Sequence, residues 1–80
     1  MKTEVLSNIN NFLGKLNVSQ SDLERNVNVF ADGFIDSMQA IDYLIMIEEK
    51  YNINITMKTV TDNKLGKPKD MAKYIEELIG

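Results

Sequence analysis

Ser37 is the residue of this 80-residue chain on which chemistry could turn. It follows Asp36 directly, and the run from Ser37 to Lys50 contains neither Gly nor Pro. Asp is a strong N-cap, and Gln39 three residues later completes a capping-box pattern, so a helix is expected to open at Ser37. A hydroxyl there sits where unpaired backbone N–H groups and the positive end of the helix dipole converge. A phosphate ester on it would meet a ready anion site. The plainer reading is an ordinary serine beside an ordinary N-cap. Other chemistries are scarce. The chain has no Cys and no His, which removes thiol nucleophiles, imidazole bases, disulfides and zinc clusters. Asp36, Asp42, Glu48 and Glu49 are of the right type to hold a divalent cation. Yet Asp42 and Glu48 stand six apart on one helix, a poor spacing for shared ligation, and no loop resembles an EF-hand.

The elements that must position Ser37 follow from hydrophobic spacing. Val5, Leu6, Ile9, Phe12, Leu13 and Leu16 predict a first helix from about Glu4 to Leu16, with Thr3 as N-cap and Gly14 weakening its last turn. Residues 17–36 read as a long ordered loop pinned by Leu23, Val29, Phe30 and Phe34. Asn17, Asn26 and Asn28 compete there with helical hydrogen bonding, while Ser19 and Asp22 carry a capping signal for one short turn. A loop of this length inside a compact domain is usually functional; a plain connector between antiparallel helices is the alternative. The second helix is expected to run from Ser37 to Tyr51, with Asn52 and Asn54 releasing the chain. At most a short third helix fits near Asp62 to Leu65. Pro68 suits the first position of a fourth, whose apolar face is Met71, Ala72, Tyr74, Ile75, Leu78 and Ile79. The expectation is one all-α domain over residues 1–80, a four-helix bundle with a long loop between its first two helices and a short third helix.

The second helix carries more apolar surface than a core needs. Ala40, Tyr43, Leu44, Ile47 and Tyr51 form one stripe, and Met38, Ile41 and Ile45 a second. Few elements are available to surround such a helix, so the second stripe is expected to face a partner rather than the core. Asp32, Asp36, Asp42, Glu48 and Glu49 flank it with no basic residue between Asp32 and Glu49. A carboxylate rim favours encounter with basic partners more than it adds affinity. A solvated acidic face is the bland alternative.

Composition narrows the class further. Nine Lys and Arg against 12 Asp and Glu leave a net charge of −3, which argues against nucleic acid, because phosphate contacts need clustered cations. The longest mostly apolar run, Tyr43 to Ile47, is far short of the ~20 residues of a membrane span. The first residues lack the apolar stretch of a signal peptide. A soluble, cytoplasmic monomer is the expectation.

Gly33-Phe-Ile-Asp36-Ser37-Met38, continued by Ile41, Tyr43, Ile47, Glu48-Glu49, Tyr51 and Ile55, resembles the acyl and peptidyl carrier proteins. The family signature is a Gly, then Asp-Ser-Leu opening the second helix of a four-helix bundle, and the likeness spans the whole length. It implies a carrier rather than an enzyme. Ser37 would be the residue that a phosphopantetheinyl transferase esterifies with 4'-phosphopantetheine from coenzyme A. The arm's thiol would then hold an acyl or aminoacyl group as a thioester, and the missing Cys is consistent with a borrowed sulfur. Asp36 matches the family Asp that helps the transferase bind its metal and the arm. Met38, Ile41 and Ile45, with Asp42, Glu48 and Glu49, match positions facing the transferase, a loading ligase and downstream synthases; Tyr43, Ile47 and Tyr51 match core positions.

The chain departs from fatty-acid-synthase carriers in three places. Met38 replaces Leu, a volume-conserving swap. Gln39 stands where an acid is usual. Lys58, Lys64, Lys67, Lys69 and Lys73 meet only Asp62 and Asp70 in a segment that is usually acidic. The resemblance is therefore closer to discrete carriers of specialised pathways, D-alanyl and other aminoacyl carriers among them. A housekeeping fatty-acid carrier and an unmodified helical interaction module remain as alternatives. Bulky Tyr43 and Tyr51 point to short or polar cargo kept outside the core.

Overall fold

A computed structural model describes the backbone of residues 2–80 and the side chains of residues 4–80. Its helices are α1 (Lys2–Lys15), α2 (Gln20–Glu24), α3 (Ser37–Tyr51), α4 (Met57–Asn63) and α5 (Pro68–Ile79), with no strand among the described residues. The all-α expectation holds, with one helix more than the four expected. The extra one, α2, is the short turn signalled by Ser19. The Ser19 hydroxyl accepts from the Asp22 N–H at 3.2 Å and donates to the Asp22 carboxylate at 2.8 Å, and Arg25 pairs with the same carboxylate. These bonds hold Asp22 below its ordinary 3.8, the Ser19 hydrogen bond most of all. Leu23 anchors the turn in the core.

Two helix starts differ from expectation. Helix α1 begins at Lys2, so Thr3 lies inside it and is not its N-cap; the Thr3 side chain lies outside the described residues. Helix α4 begins at Met57, five residues before the expected Asp62. Its start is a reciprocal box: the Thr59 N–H donates to the Thr56 hydroxyl and the Thr56 N–H to the Thr59 hydroxyl, both at 3.2 Å. Threonine takes the place usual for Glu or Gln, which hid the pattern. Asn52 closes α3 and Lys64 closes α4, both in the left-handed conformation.

Helix α1 packs most extensively on α5 and also on α3. The core joins Val5, Ile9 and Leu13 of α1 to Tyr43 and Ile47 of α3 and Met71 and Ile75 of α5. The loop after α2 adds Val29 and Ile35, with Phe30 and Phe34 half-buried against the same cluster. The Phe30 ring lies 5.9 Å from that of Tyr43, tilted by 40°. The four residues expected to pin this loop therefore do so. The apolar face of α5 is shorter than expected: Met71, Ala72 and Ile75 are buried, whereas Leu78 and Ile79 are exposed. Both side chains at the last turn are left about half exposed, at 51% and 48%.

Candidate functional site

The loop before α3 turns through Gly33, whose φ of 76° is a conformation L side chains rarely adopt, and then extends into Asp36. The Asp36 Oδ1 accepts from the Gln39 N–H at 2.8 Å, and Gln39 Oε1 accepts from the Asp36 N–H at 3.0 Å. The capping box read from the sequence is thus complete. Gln39 goes further: its Nε2 donates to the Leu16 carbonyl at 3.1 Å and ties the start of α3 to the end of α1. Spacing alone gives no sign of that bond, because Leu16 lies 23 residues away.

Ser37 is the first residue of α3 and is exposed, as is Asp36. Among the described residues its hydroxyl has no hydrogen-bond partner, and neither do the backbone amides of Ser37 and Met38. The second carboxylate oxygen of Asp36 is likewise unengaged. A free hydroxyl, two unpaired amides and the positive end of a 15-residue helix meet at one exposed corner. That arrangement suits an oxygen esterified to phosphate: the ester would meet amide donors, and its arm would lead into solvent rather than protein.

The two stripes of α3 separate as expected. Ala40, Tyr43, Leu44 and Ile47 are buried and Tyr51 is half-buried. Met38, Ile41 and Ile45 are 77%, 53% and 43% exposed. Asp32, Asp42 and Glu49 are exposed as well. Glu48 is different: half-buried, its Oε2 accepts from the Ile55 N–H at 3.0 Å, so this carboxylate supports the turn after α3 as well as adding charge. No group of three or more carboxylates able to hold a metal ion forms among the described residues. Exposed Met57, at the start of α4, is an apolar surface residue the sequence reading missed. The Thr56–Thr59 box was the signal that would have placed it. Lys58 pairs with Asp62 at 2.8 Å, while exposed Lys64, Lys67, Lys69 and Lys73 have no ion-pair partner among the described residues. Among the described residues no helix is long and apolar enough to cross a membrane.

Comparison with known proteins gives the family. A family model described as "Phosphopantetheine attachment site" matches residues 9–75. The chain is similar to the D-alanyl carrier protein of Leuconostoc citreum (strain KM20), 28% identical over 80 residues, covering all of this chain and 97% of that one. It is also similar to the D-alanyl carrier protein of Leuconostoc mesenteroides subsp. mesenteroides, 25% identical over 80 residues with the same coverage. No solved structure matches.

Proposed function

Because the chain belongs to the phosphopantetheine attachment-site family of carrier proteins, we propose that Ser37 is the residue bearing 4'-phosphopantetheine and that the protein carries acyl or aminoacyl groups for a specialised biosynthetic pathway. The observation that supports it most is the exposed, unpartnered Ser37 hydroxyl on the first turn of α3. When bound, the prosthetic group supplies a thiol that holds cargo as a thioester on a mobile arm. The likeness to two D-alanyl carrier proteins favours an aminoacyl cargo.

In this reading the chain's own residues position and present, and the protein is a carrier rather than an enzyme. Ser37 supplies the attachment oxygen. The free amides of Ser37 and Met38 face the negative charge that attachment brings. Asp36 keeps Oδ1 on the helix cap and leaves its other oxygen for the modifying enzyme. Met38, Ile41 and Ile45 form the apolar strip on which a phosphopantetheinyl transferase, a loading ligase and downstream enzymes dock in turn. Asp42 and Glu49, with a share from Glu48, steer basic partners to it. Tyr43 fills the core beneath α3, 1% exposed, and Tyr51 accepts a hydrogen bond from Asn8 at 2.8 Å. A long cargo chain would have to displace both, so short or polar cargo held outside the core fits best. The protein works as a monomer in the cytoplasm.

Incubation with coenzyme A and a broad-specificity transferase is expected to add one phosphopantetheine mass to the wild type and none to Ser37→Ala. A wild type left unmodified overturns the reading and favours an unmodified helix-docking module, whose partner binding would survive Ser37→Ala. Intact mass of protein purified from its host identifies the cargo.

A further inference from the structure

Gly66 lies in the α4–α5 connection, buried, at a place where glycine is required for space rather than for conformation. A Cβ there would fall 2.0 Å from Asn28 Oδ1, 2.4 Å from its Cγ and 2.7 Å from its Nδ2. The Asn28 carboxamide occupies the volume a side chain at 66 would fill. It cannot simply swing aside, because Oδ1 accepts from the Phe30 N–H at 3.2 Å and the Ala31 N–H at 2.9 Å. The Asn28 carbonyl accepts from the Asp32 N–H at 3.0 Å, and the Val29 N–H donates to the Gly66 carbonyl at 3.0 Å. The Ile35 N–H then closes back on the Val29 carbonyl at 3.3 Å. This chain of bonds runs from residue 28 to residue 35 and ends one residue before the Asp36 cap.

A second peg stands beside it. Lys67 gives α5 no side-chain cap, and the Asn26 Oδ1 supplies one from across the fold, accepting from the Lys69 N–H at 3.0 Å. The segment that leads into Ser37 is therefore fastened to the start of α5 by Asn26, Asn28 and Val29. None of these residues approaches the serine in sequence, and none belongs to the α3 docking strip.

We propose that Asn28 and Gly66 form an interlock that sets the position of the 29–36 segment, and with it Ser37, for the enzyme that modifies the serine. Both are positioning residues, and the proposal rests on Ser37 being the attachment residue. An enzyme that reaches the Ser37 hydroxyl must cover the residues leading into it. If their backbone wanders, each encounter must first order them, and the cost falls on binding rather than on the transfer step.

The test measures initial rates of phosphopantetheine transfer from coenzyme A by one broad-specificity transferase, with the carrier as varied substrate. For Gly66→Ala and for Asn28→Ala, KM for the carrier is expected to rise by about fivefold with kcat little changed, the scale set by lost hydrogen bonds. Asn28→Asp keeps the acceptor oxygen and is expected to restore KM. In Gly66→Ala/Asn28→Ala the clash is gone, so KM is expected to match Asn28→Ala alone rather than the product of the two effects. Hydrogen exchange is read on the same proteins: the amides of Phe30, Ala31 and Asp32 are expected to speed up while those of Tyr43 and Ile47 stay protected. Variants with faster loop exchange and wild-type KM overturn the interlock as a positioning device, and so does multiplication of the two effects in the double variant. A wild type that accepts no phosphopantetheine overturns the attachment reading itself, which is a different result from modified protein with indifferent variants.

Discussion

Gln39 joins the start of α3 to the end of α1 through one carboxamide: it accepts from the Asp36 N–H at 3.0 Å and donates to the Leu16 carbonyl at 3.1 Å. Glutamate at this position can do the first and not the second, and it would set a negative charge against a carbonyl oxygen. Gln39→Glu is therefore expected to lower the unfolding free energy by about 1–2 kcal/mol, the scale of a part-buried acceptor left unmade. Urea denaturation with an unchanged m-value measures it. An unshifted midpoint means that the bond to Leu16 adds no stability.

The carboxylates of α3 are expected to divide by role. Asp42 and Glu49 are exposed, so charge reversal at either should leave stability within about 0.5 kcal/mol of wild type. It should instead slow association with the modifying enzyme, more at 20 mM than at 300 mM salt, where screening is stronger. Glu48 holds the Ile55 amide, so Glu48→Lys should cost about 1–3 kcal/mol as well. Stopped-flow association across salt, paired with denaturation, separates the groups. Rates that do not vary with salt remove steering from the account.

Two isoleucines six residues apart on α3 should behave oppositely. Ile47 is 0% exposed and Ile41 is 53% exposed. Ile47→Ala is expected to cost about 2–5 kcal/mol through lost burial and a cavity. Ile41→Ala should cost about 0.5 kcal/mol or less while weakening docking of the modifying enzyme. A stability loss at Ile41 equal to that at Ile47 would show that the outer stripe is packed after all.

Burial pushes the Tyr43 phenol far above its unfolded value of 10.0, because the anion is poorly solvated in the core. For a pKa raised on folding, the neutral phenol's contribution is undiminished below pH 10.0 and declines above it, where the unfolded chain ionises first. Unfolding midpoints are thus expected to fall above about pH 10 more steeply for wild type than for Tyr43→Phe. Parallel profiles would place the phenol in contact with water.

Helix α3 and its cap were legible because their signals are local. Asp36 and Gln39 lie one turn apart, and the buried and exposed stripes of α3 repeat at helical spacing. Helix α4 was misplaced for a local reason too: Thr59 serves where Glu or Gln is the familiar partner of Thr56. The end of α5 was misread because an apolar period continues through Leu78 and Ile79 whether or not another helix reaches that far. Glu48 read as a rim charge because its amide partner lies seven residues on, past the helix end, where no helical spacing links them.

The amino-acid order by itself determined the all-α class, α3 with its cap, the exposed hydroxyl at its head and the separation of a core stripe from an exposed apolar stripe, since caps and periodicity act within a turn or two. Only the tertiary structure decided what fixes that hydroxyl in space. Gln39 reaches Leu16 across 23 residues, Asn26 caps α5 across 43, and Asn28 fills the space that Gly66 leaves empty. Those partners meet because burial of the core brings distant backbone together, and no spacing rule along one chain encodes which amide will then find which carbonyl.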